Sequence, residues 1–364
     1  MKKILTVIGT RPNIIKITQF KKVAERYAPQ LDLKLVHTGQ HYNKNMSDVF
    51  FTELSLPQPD FMLQIEAQSV ISQLTQIMLG LEQTVNQYKP DYMIVVGDVN
   101  STLAGALVGN KMGIPLLHLE SGLRSFDKTM PEEHNRIITD DISNYYFVTE
   151  ESGKQNLLKE GKDLSSIHFV GNTMIDTLVA YDSIIQKSPI VSNLHLKPKG
   201  YALMTMHRPG NVDTKEGLLK LIEVIEALTK DLQIVFPIHP RTTNKLKEFN
   251  LFSQIENNKN LTLMDPAGYL DFQKLIYDSL FVITDSGGIQ EETTFRKIPC
   301  ITLRPNTERP STVDVGSNVL MGFEKDKIMN TVDQIKKGTY KICNIPPLWD
   351  GRATERIFEV LAKI

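Results

Sequence analysis

The chain is predicted to fold as an α/β protein of two Rossmann-like domains with a cleft between them, and three observations predict it. At 364 residues it exceeds the roughly 250–300 residues at which a single hydrophobic core stops growing, so two domains are expected. Short apolar runs alternate with amphipathic helical stretches along the chain, the pattern of parallel strands covered on both faces. The periodicity lapses once, between Asp176 and Gly200, through Ser188-Pro189-Ile190-Val191-Ser192-Asn193 and Lys197-Pro198-Lys199-Gly200. The expected division is residues 1–175, residues 176–348, and a helical-period tail over 349–364.

The first series of strands is expected at Ile4–Ile8, Leu33–His37, Tyr92–Val96, Leu116–His118, Tyr145–Val148 and Ile167–Val170. A second is expected at Tyr201–Met206, Gln233–Ile238, Leu261–Met264, Leu280–Thr284 and Cys300–Leu303. Each is a short run rich in β-branched, aromatic or other apolar residues. Helices are expected between them, among others at Val99–Lys111, Glu132–Ser143, Lys215–Thr229 and Gly288–Arg296. The halves echo one another: Met93 to Ser101 and Phe281 to Gly288 are each a buried strand ending in Asp and small residues before a helix. Ligands of open α/β sheets bind outside the carboxyl ends of strands, so facing domains would present both segments to one cleft.

The net charge is −1 with both signs interspersed, and no basic face for nucleic acid or acidic tail is present. Anion binding must then come from a local site. Ile4–Ile8 is too short for a signal segment, no apolar run approaches the length of a membrane span, and the two cysteines form no CxxC. A reduced cytoplasmic setting without membrane partners is expected. Cys300, in Ile298-Pro299-Cys300-Ile301-Thr302-Leu303, reads as a small core residue.

Several segments could carry chemistry. Gly9-Thr10-Arg11-Pro12-Asn13-Ile14-Ile15-Lys16 joins the first strand to a helix, whose N-terminus with Arg11 and Lys16 suits a diphosphate; a plain turn with surface cations is the other reading. No GxGxxG or Walker motif occurs, which argues against ATP hydrolysis. In Asp285-Ser286-Gly287-Gly288-Ile289-Gln290-Glu291-Glu292, backbone N–H groups of Ser286, Gly287 and Gly288 would meet phosphate oxygens, and Glu292 could accept ribose hydroxyls. Glu120 closes the apolar strand before Ser121-Gly122-Leu123-Arg124, Asp98 ends its neighbour, and Glu132-Glu133 opens the next helix, so three acids could converge on one sheet edge. Alternatively Asp98 is a helix cap and the two glutamates complement a helix dipole.

His207 and His239 stand at strand ends, but neither lies in HExxH or beside a cysteine, so no metal is expected. His37 and His41 have i,i+4 spacing, yet Gly39 between them indicates a loop, and His134 reads as a surface residue. Arg304 and Arg309, in Arg304-Pro305-Asn306-Thr307-Glu308-Arg309-Pro310, could clamp a diphosphate or form surface pairs with Glu308.

Taken in order, these motifs, with Pro131-Glu132-Glu133-His134-Asn135-Arg136, Gly171-Asn172-Thr173 and His207-Arg208, resemble the non-hydrolysing UDP-N-acetylglucosamine 2-epimerases over nearly the whole chain. The resemblance implies a glycosyltransferase-B-type fold whose C-terminal helix returns to the first domain. It implies a homodimer needing neither NAD nor metal, and interconversion of UDP-N-acetylglucosamine and UDP-N-acetylmannosamine for envelope polysaccharides. By position it implies that Arg11, Lys16, Ser286, Gly287, Gly288 and Arg309 hold the diphosphate, Glu292 the ribose and Phe272 the uracil. Asp98, Glu120, Glu132 and His207 would be catalytic.

The sequence departs from the family pattern at Asn13 for glutamate, Ser121 for alanine, Pro209 within a His-Arg-Arg-Glu run, and Gln40-His41-Tyr42-Asn43 for Gln-His-x-x-Gln. The last two touch positions that the family ties to activation by a second substrate molecule. Related enzymes act on UDP-2,3-diacetamido-glucuronate. A same-fold glycosyltransferase, a hydrolysing epimerase or a nucleotide-sugar sensor would share the phosphate residues. The C2 proton of an acetamido sugar is poorly acidic. The resemblance therefore implies that UDP leaves first, through a 2-acetamidoglucal, and that inversion uses groups on both faces.

Overall fold

The structure is a computed structural model that describes residues 1–40 and 51–364; His41, Tyr42 and Asn43 lie outside the described residues. The chain divides into one unit of Met1–Ala180 with Pro347–Ile364, and a second of Tyr181–Pro346.

The first unit is built on strands β1 (Lys2–Ile8), β2 (Leu31–His37), β3 (Phe61–Met62), β4 (Tyr92–Val96), β5 (Leu116–Leu119), β6 (Tyr145–Val148) and β7 (Ile167–Phe169). They run in the order β3-β2-β1-β4-β5-β6-β7, and every pairing is parallel. The second unit carries β8 (Tyr201–Thr205), β9 (Gln233–Pro237), β10 (Leu261–Met264), β11 (Phe281–Thr284), β12 (Cys300–Leu303) and β13 (Asn318–Met321) in the order β10-β9-β8-β11-β12-β13, again all parallel. All eleven expected strands are present, most of them shifted by a residue or two. The two unexpected ones, β3 and β13, are edge strands, and neither is an alternating or unbroken buried run.

Burial on both faces explains why the central strands read as unbroken apolar runs: Met93 to Val96 are all buried, as are Phe281 to Thr284. The covering helices follow the 3.6-residue period. In Lys215–Leu228, Leu218, Leu221, Ile222, Val224, Ile225 and Leu228 are buried, and Thr214 caps the start by accepting the Gly217 N–H at 3.1 Å. Asn100–Lys111 packs with small residues, Ala104, Gly105, Ala106 and Gly109, so it lies close on its sheet.

The tail helix Ala353–Lys363 belongs to the first unit. Asp176 caps it, accepting the N–H groups of Ala353 (3.0 Å) and Thr354 (2.6 Å). Phe358 packs edge-on against Phe20 with ring centres 5.6 Å apart, and burying one such ring stabilises by roughly 1.5–3 kcal/mol. Trp349, just before the helix, is buried and donates to Thr149 O at 2.9 Å. Cys300 is a core residue of β12, and burial pushes its thiol up to about 11. No helix among the described residues is long and apolar enough to cross a membrane.

Candidate active site

Strand order reverses between β1 and β4 in the first sheet and between β8 and β11 in the second. At such a switch point the two flanking loops diverge and leave a crevice at the carboxyl ends. Gly9 to Arg11 follow β1, Asp98 follows β4 and Glu120 follows β5; His207 follows β8 and Asp285 to Gly288 follow β11.

In the first unit, Thr10 caps the short helix Arg11–Lys16, and Asn13 closes the turn. The Asn13 Oδ1 accepts the N–H groups of Gly9 (3.1 Å) and Thr10 (3.2 Å), while its Nδ2 donates to Val96 O (3.1 Å) at the end of β4. A glutamate at this position could not donate that last bond. The turn's N–H groups are thereby used internally, so the backbone here is not the anion cradle its sequence suggests. Arg11 is half-buried, and Lys16, also buried, is ion-paired through Nζ with Glu120 Oε2.

Glu120 is 4% exposed and has φ of +69°, a left-handed conformation that costs a non-glycine residue of order 1–3 kcal/mol. Its Oε1 is buried with no hydrogen-bond partner. That oxygen keeps its acceptor capacity for a donor that enters the site. Asp98, with 27% of its side chain exposed, pairs with Arg136 Nη2 at 2.5 Å, and Arg136 Nη1 donates to Glu133 Oε2 at 2.7 Å. Val99, not Asp98, is the cap of the following helix.

The acid joined to Asp98 is therefore Glu133, not Glu132. Glu133 is buried and accepts the N–H groups of Ser125 (2.9 Å) and Phe126 (2.8 Å), which fixes that loop. Glu132, one residue earlier on helix Pro131–Ile142, is exposed.

Beneath these groups lies a buried network the sequence reading did not single out. His118 Nδ1 is 2.6 Å from Asp140 Oδ1, and Asp140 Oδ2 receives Gly122 N–H (3.0 Å) and Arg124 Nη1 (2.7 Å). Burial works against the Asp140 carboxylate, but His118 and Arg124 outweigh it and hold its pKa below the usual range. Arg124 closes the chain with a two-pronged contact to Glu160, at 2.9 and 2.6 Å. Asp140 gives no local sequence signal, because it is one polar residue on the buried face of an amphipathic helix.

In the second unit, the fully buried Asp285 organises the switch point. It accepts the N–H groups of His207 (3.1 Å) and Arg208 (2.8 Å) and the Asn211 amide (3.1 Å), and pairs with His207 Nδ1 at 3.1 Å. Burial raises its pKa, but His207 and these donors more than offset it and leave it lowered. Pro209 opens the one-turn helix that aims Asn211 inward. With Nδ1 held by Asp285 and 40% of its side chain exposed, His207 presents Nε2 as its other proton-carrying atom. The His239 ring lies tilted at 37° to that of His207 with centres 5.6 Å apart; burial and the nearby His207 lower its pKa.

Ser286 caps helix Gly287–Phe295 by position only; its side chain makes no capping bond, and no acid occupies the first turn. The Ser286 N–H is already taken by Thr284 Oγ1 at 3.0 Å, against the sequence expectation, so the backbone donors this helix start can offer an anion are those of Gly287 and Gly288. A Cβ on Gly287 would sit 2.7 Å from Glu308 Oε1 and 2.8 Å from Arg309 Nη1, so this guanidinium lies against the helix start. Arg309 Nε lies 2.8 Å from Glu291 Oε2, Arg309 Nη1 pairs with Glu308, and Glu308 Oε2 takes Arg304 Nη2 at 3.0 Å. The Glu308 pairs expected at the surface are buried. Burial lowers the pKa of Arg304. Glu292 is buried on the same helix, and Phe272, half-buried, packs beside Ile289 and Val235.

A sequence model of the family described as UDP-N-acetylglucosamine 2-epimerase matches residues 24–362. The chain is 42% identical to UDP-N-acetylglucosamine 2-epimerase of Methanocaldococcus jannaschii, over 99% of this chain and 98% of that one. It is 36% identical to UDP-2,3-diacetamido-2,3-dideoxy-D-glucuronate 2-epimerase of Pseudomonas aeruginosa, over the full length of both. The crystal structure of the M. jannaschii UDP-GlcNAc 2-epimerase in complex with UDP-GlcNAc and UDP superposes with a TM-score of 0.90 at 42% identity, covering all of both chains.

Proposed function

The chain belongs to the UDP-N-acetylglucosamine 2-epimerase family, isomerases of α/β fold, and from that premise we propose that it interconverts UDP-N-acetylglucosamine and UDP-N-acetylmannosamine without hydrolysis. The observation that carries this reading is that the two units have unlike switch points, one with strained or partly open carboxylates and the other with a helix start that has no acid in its own first turn and lies against a buried arginine.

In this reading the N–H groups of Gly287 and Gly288 and the hydroxyl of Ser286, with Arg309 and Arg11, take the diphosphate. Lys16 has three donors, so it can keep Glu120 and still reach a phosphate oxygen. Glu292 takes the ribose and Phe272 the uracil. The C1–O bond breaks, and the electrons leave with UDP, whose growing charge meets these fixed donors. A proton leaves C2, giving the 2-acetamidoglucal. UDP then re-adds to C1, and a proton enters C2 from the opposite face. Asp98, Glu120 and Glu132 serve the two faces of C2, and His207 handles the proton on the UDP side. Retention of both fragments until re-addition separates this enzyme from a hydrolase. The product would feed cell-envelope polysaccharide precursors.

Chromatography of a reaction started with UDP-N-acetylglucosamine tests the reading. A UDP-linked manno epimer is expected with no net free UDP; stoichiometric free hexosamine and UDP would sink it. The P. aeruginosa relative favours a second reading, UDP-2,3-diacetamido-glucuronate as the sugar, and reaction of that substrate alone would select it.

A further inference from the structure

Asp98 and Glu120 are not carried on regular strand backbone. Asp98 follows Gly97, which has φ of +70°; Glu120 has φ of +69° and is followed two residues later by Gly122 at +76°. Gly122 has no room for a side chain, since a Cβ would sit 2.2 Å from Gly153 O. Turns of this kind hold their shape only when their surroundings fix it. The amides of Glu120 and Ser121 both reach Phe147 O, at 3.1 and 3.2 Å, and the Gly97 N–H donates to Leu119 O at 2.9 Å, so backbone bonds tie the strand ends while side chains fix the Gly122 end of the turn.

One buried imidazole reaches both turns. His118 has no exposed surface. Its Nε2 lies 2.7 Å from Gly97 O, and its Nδ1 lies 2.6 Å from Asp140 Oδ1. The other Asp140 oxygen receives the Gly122 N–H at 3.0 Å. Gly97, His118, Asp140 and Gly122 thus form a closed path from the residue before Asp98 to the residue two after Glu120. A flat ring with hydrogen bonds at both ends has no rotamer freedom, so it fixes a distance rather than merely filling space.

We propose that the His118–Asp140 pair is the positioning element of the reaction, setting Asp98 and Glu120 at a fixed separation while touching no substrate. This rests on the epimerase reading above. Misplacing a reacting group by about 1 Å can cost roughly 100-fold in rate, which sets the expected scale.

The test uses the full-length chain, turnover of UDP-N-acetylglucosamine, UDP calorimetry, and hydrogen–deuterium exchange read by peptide. His118→Gln and Asp140→Asn should each lower kcat by about 100-fold while UDP affinity stays within about threefold. Exchange should rise in peptides covering Gly97 to Ser101 and Glu120 to Arg124. Glu160→Gln loosens the outer, 39% exposed end of the same network. It should lower the melting temperature while kcat stays within about threefold. Turnover within threefold of the parent in both inner variants would overturn the proposal, and so would an equal loss of kcat in Glu160→Gln. If His118→Gln does not fold, Asp140→Asn decides alone. If the unmodified chain epimerises no UDP-sugar, the functional reading falls, and unchanged exchange in both peptides would separately overturn the positioning role.

Discussion

At the first sheet's carboxyl edge the carboxylates are met by cations, Lys16 on Glu120 and Arg136 shared between Asp98 and Glu133. At the second, the carboxylate Asp285 is met by backbone N–H groups, an amide and His207, and the adjoining helix has no acid in its own first turn. The same strand order therefore supports two electrostatic designs. The first sets acids beside cations, as proton transfer to and from a neutral sugar carbon requires. The second sets a helix N-terminus beside a buried arginine, as a diphosphate requires. Topology places the loops; the residues one to three positions past each strand decide what the loops can hold.

Four substitutions would break or sharpen that contrast. Glu120→Gln removes the strained acid, and kcat should fall by about 10²–10⁴-fold with UDP affinity nearly unchanged by calorimetry. Lys16→Met leaves Glu120 as a buried charge without its cation, and urea unfolding should show a loss of about 3–5 kcal/mol. Gly287→Ala pushes against Glu308 and Arg309 at the helix start; UDP affinity should fall about 10–100-fold, the worth of one charge-assisted hydrogen bond, while the first unit's proton exchange residues are untouched.

The smallest effect concerns pH. The lowered pKa of Asp285 means that its contribution to stability is fully present above the unfolded value of about 3.9 and is lost as pH falls through the folded one. Thermal melts of the unmodified chain and Asp285→Asn should therefore differ by a constant amount near neutrality and converge as the pH drops below about 4. A gap that widens on acidification would show that Asp285 is not held as a carboxylate.

Much of this was legible in the sequence. Strands buried on both faces announce themselves as apolar runs, which is why β4 and β11 were placed nearly to the residue. Acids and glycines directly after such runs mark the carboxyl edge, which brought out Asp98, Glu120 and Ser286. Partnerships made across the chain were not legible. Arg136 joins Asp98 over 38 positions, and His118 meets Asp140 over 22. Neither distance carries a local period. The choice between Glu132 and Glu133 was equally hidden, because helix phase alone decides which of two adjacent glutamates turns inward to the Ser125 loop and which stays exposed.

The account stands most directly on what happens at C2. Incubating the chain with UDP-N-acetylglucosamine in D2O and following the sugar by NMR reads that atom. The expected result is a UDP-linked manno epimer carrying deuterium at C2, with solvent label also entering recovered starting sugar. An epimer that keeps its original C2 hydrogen, or a sugar recovered unlabelled and unreacted, would contradict it.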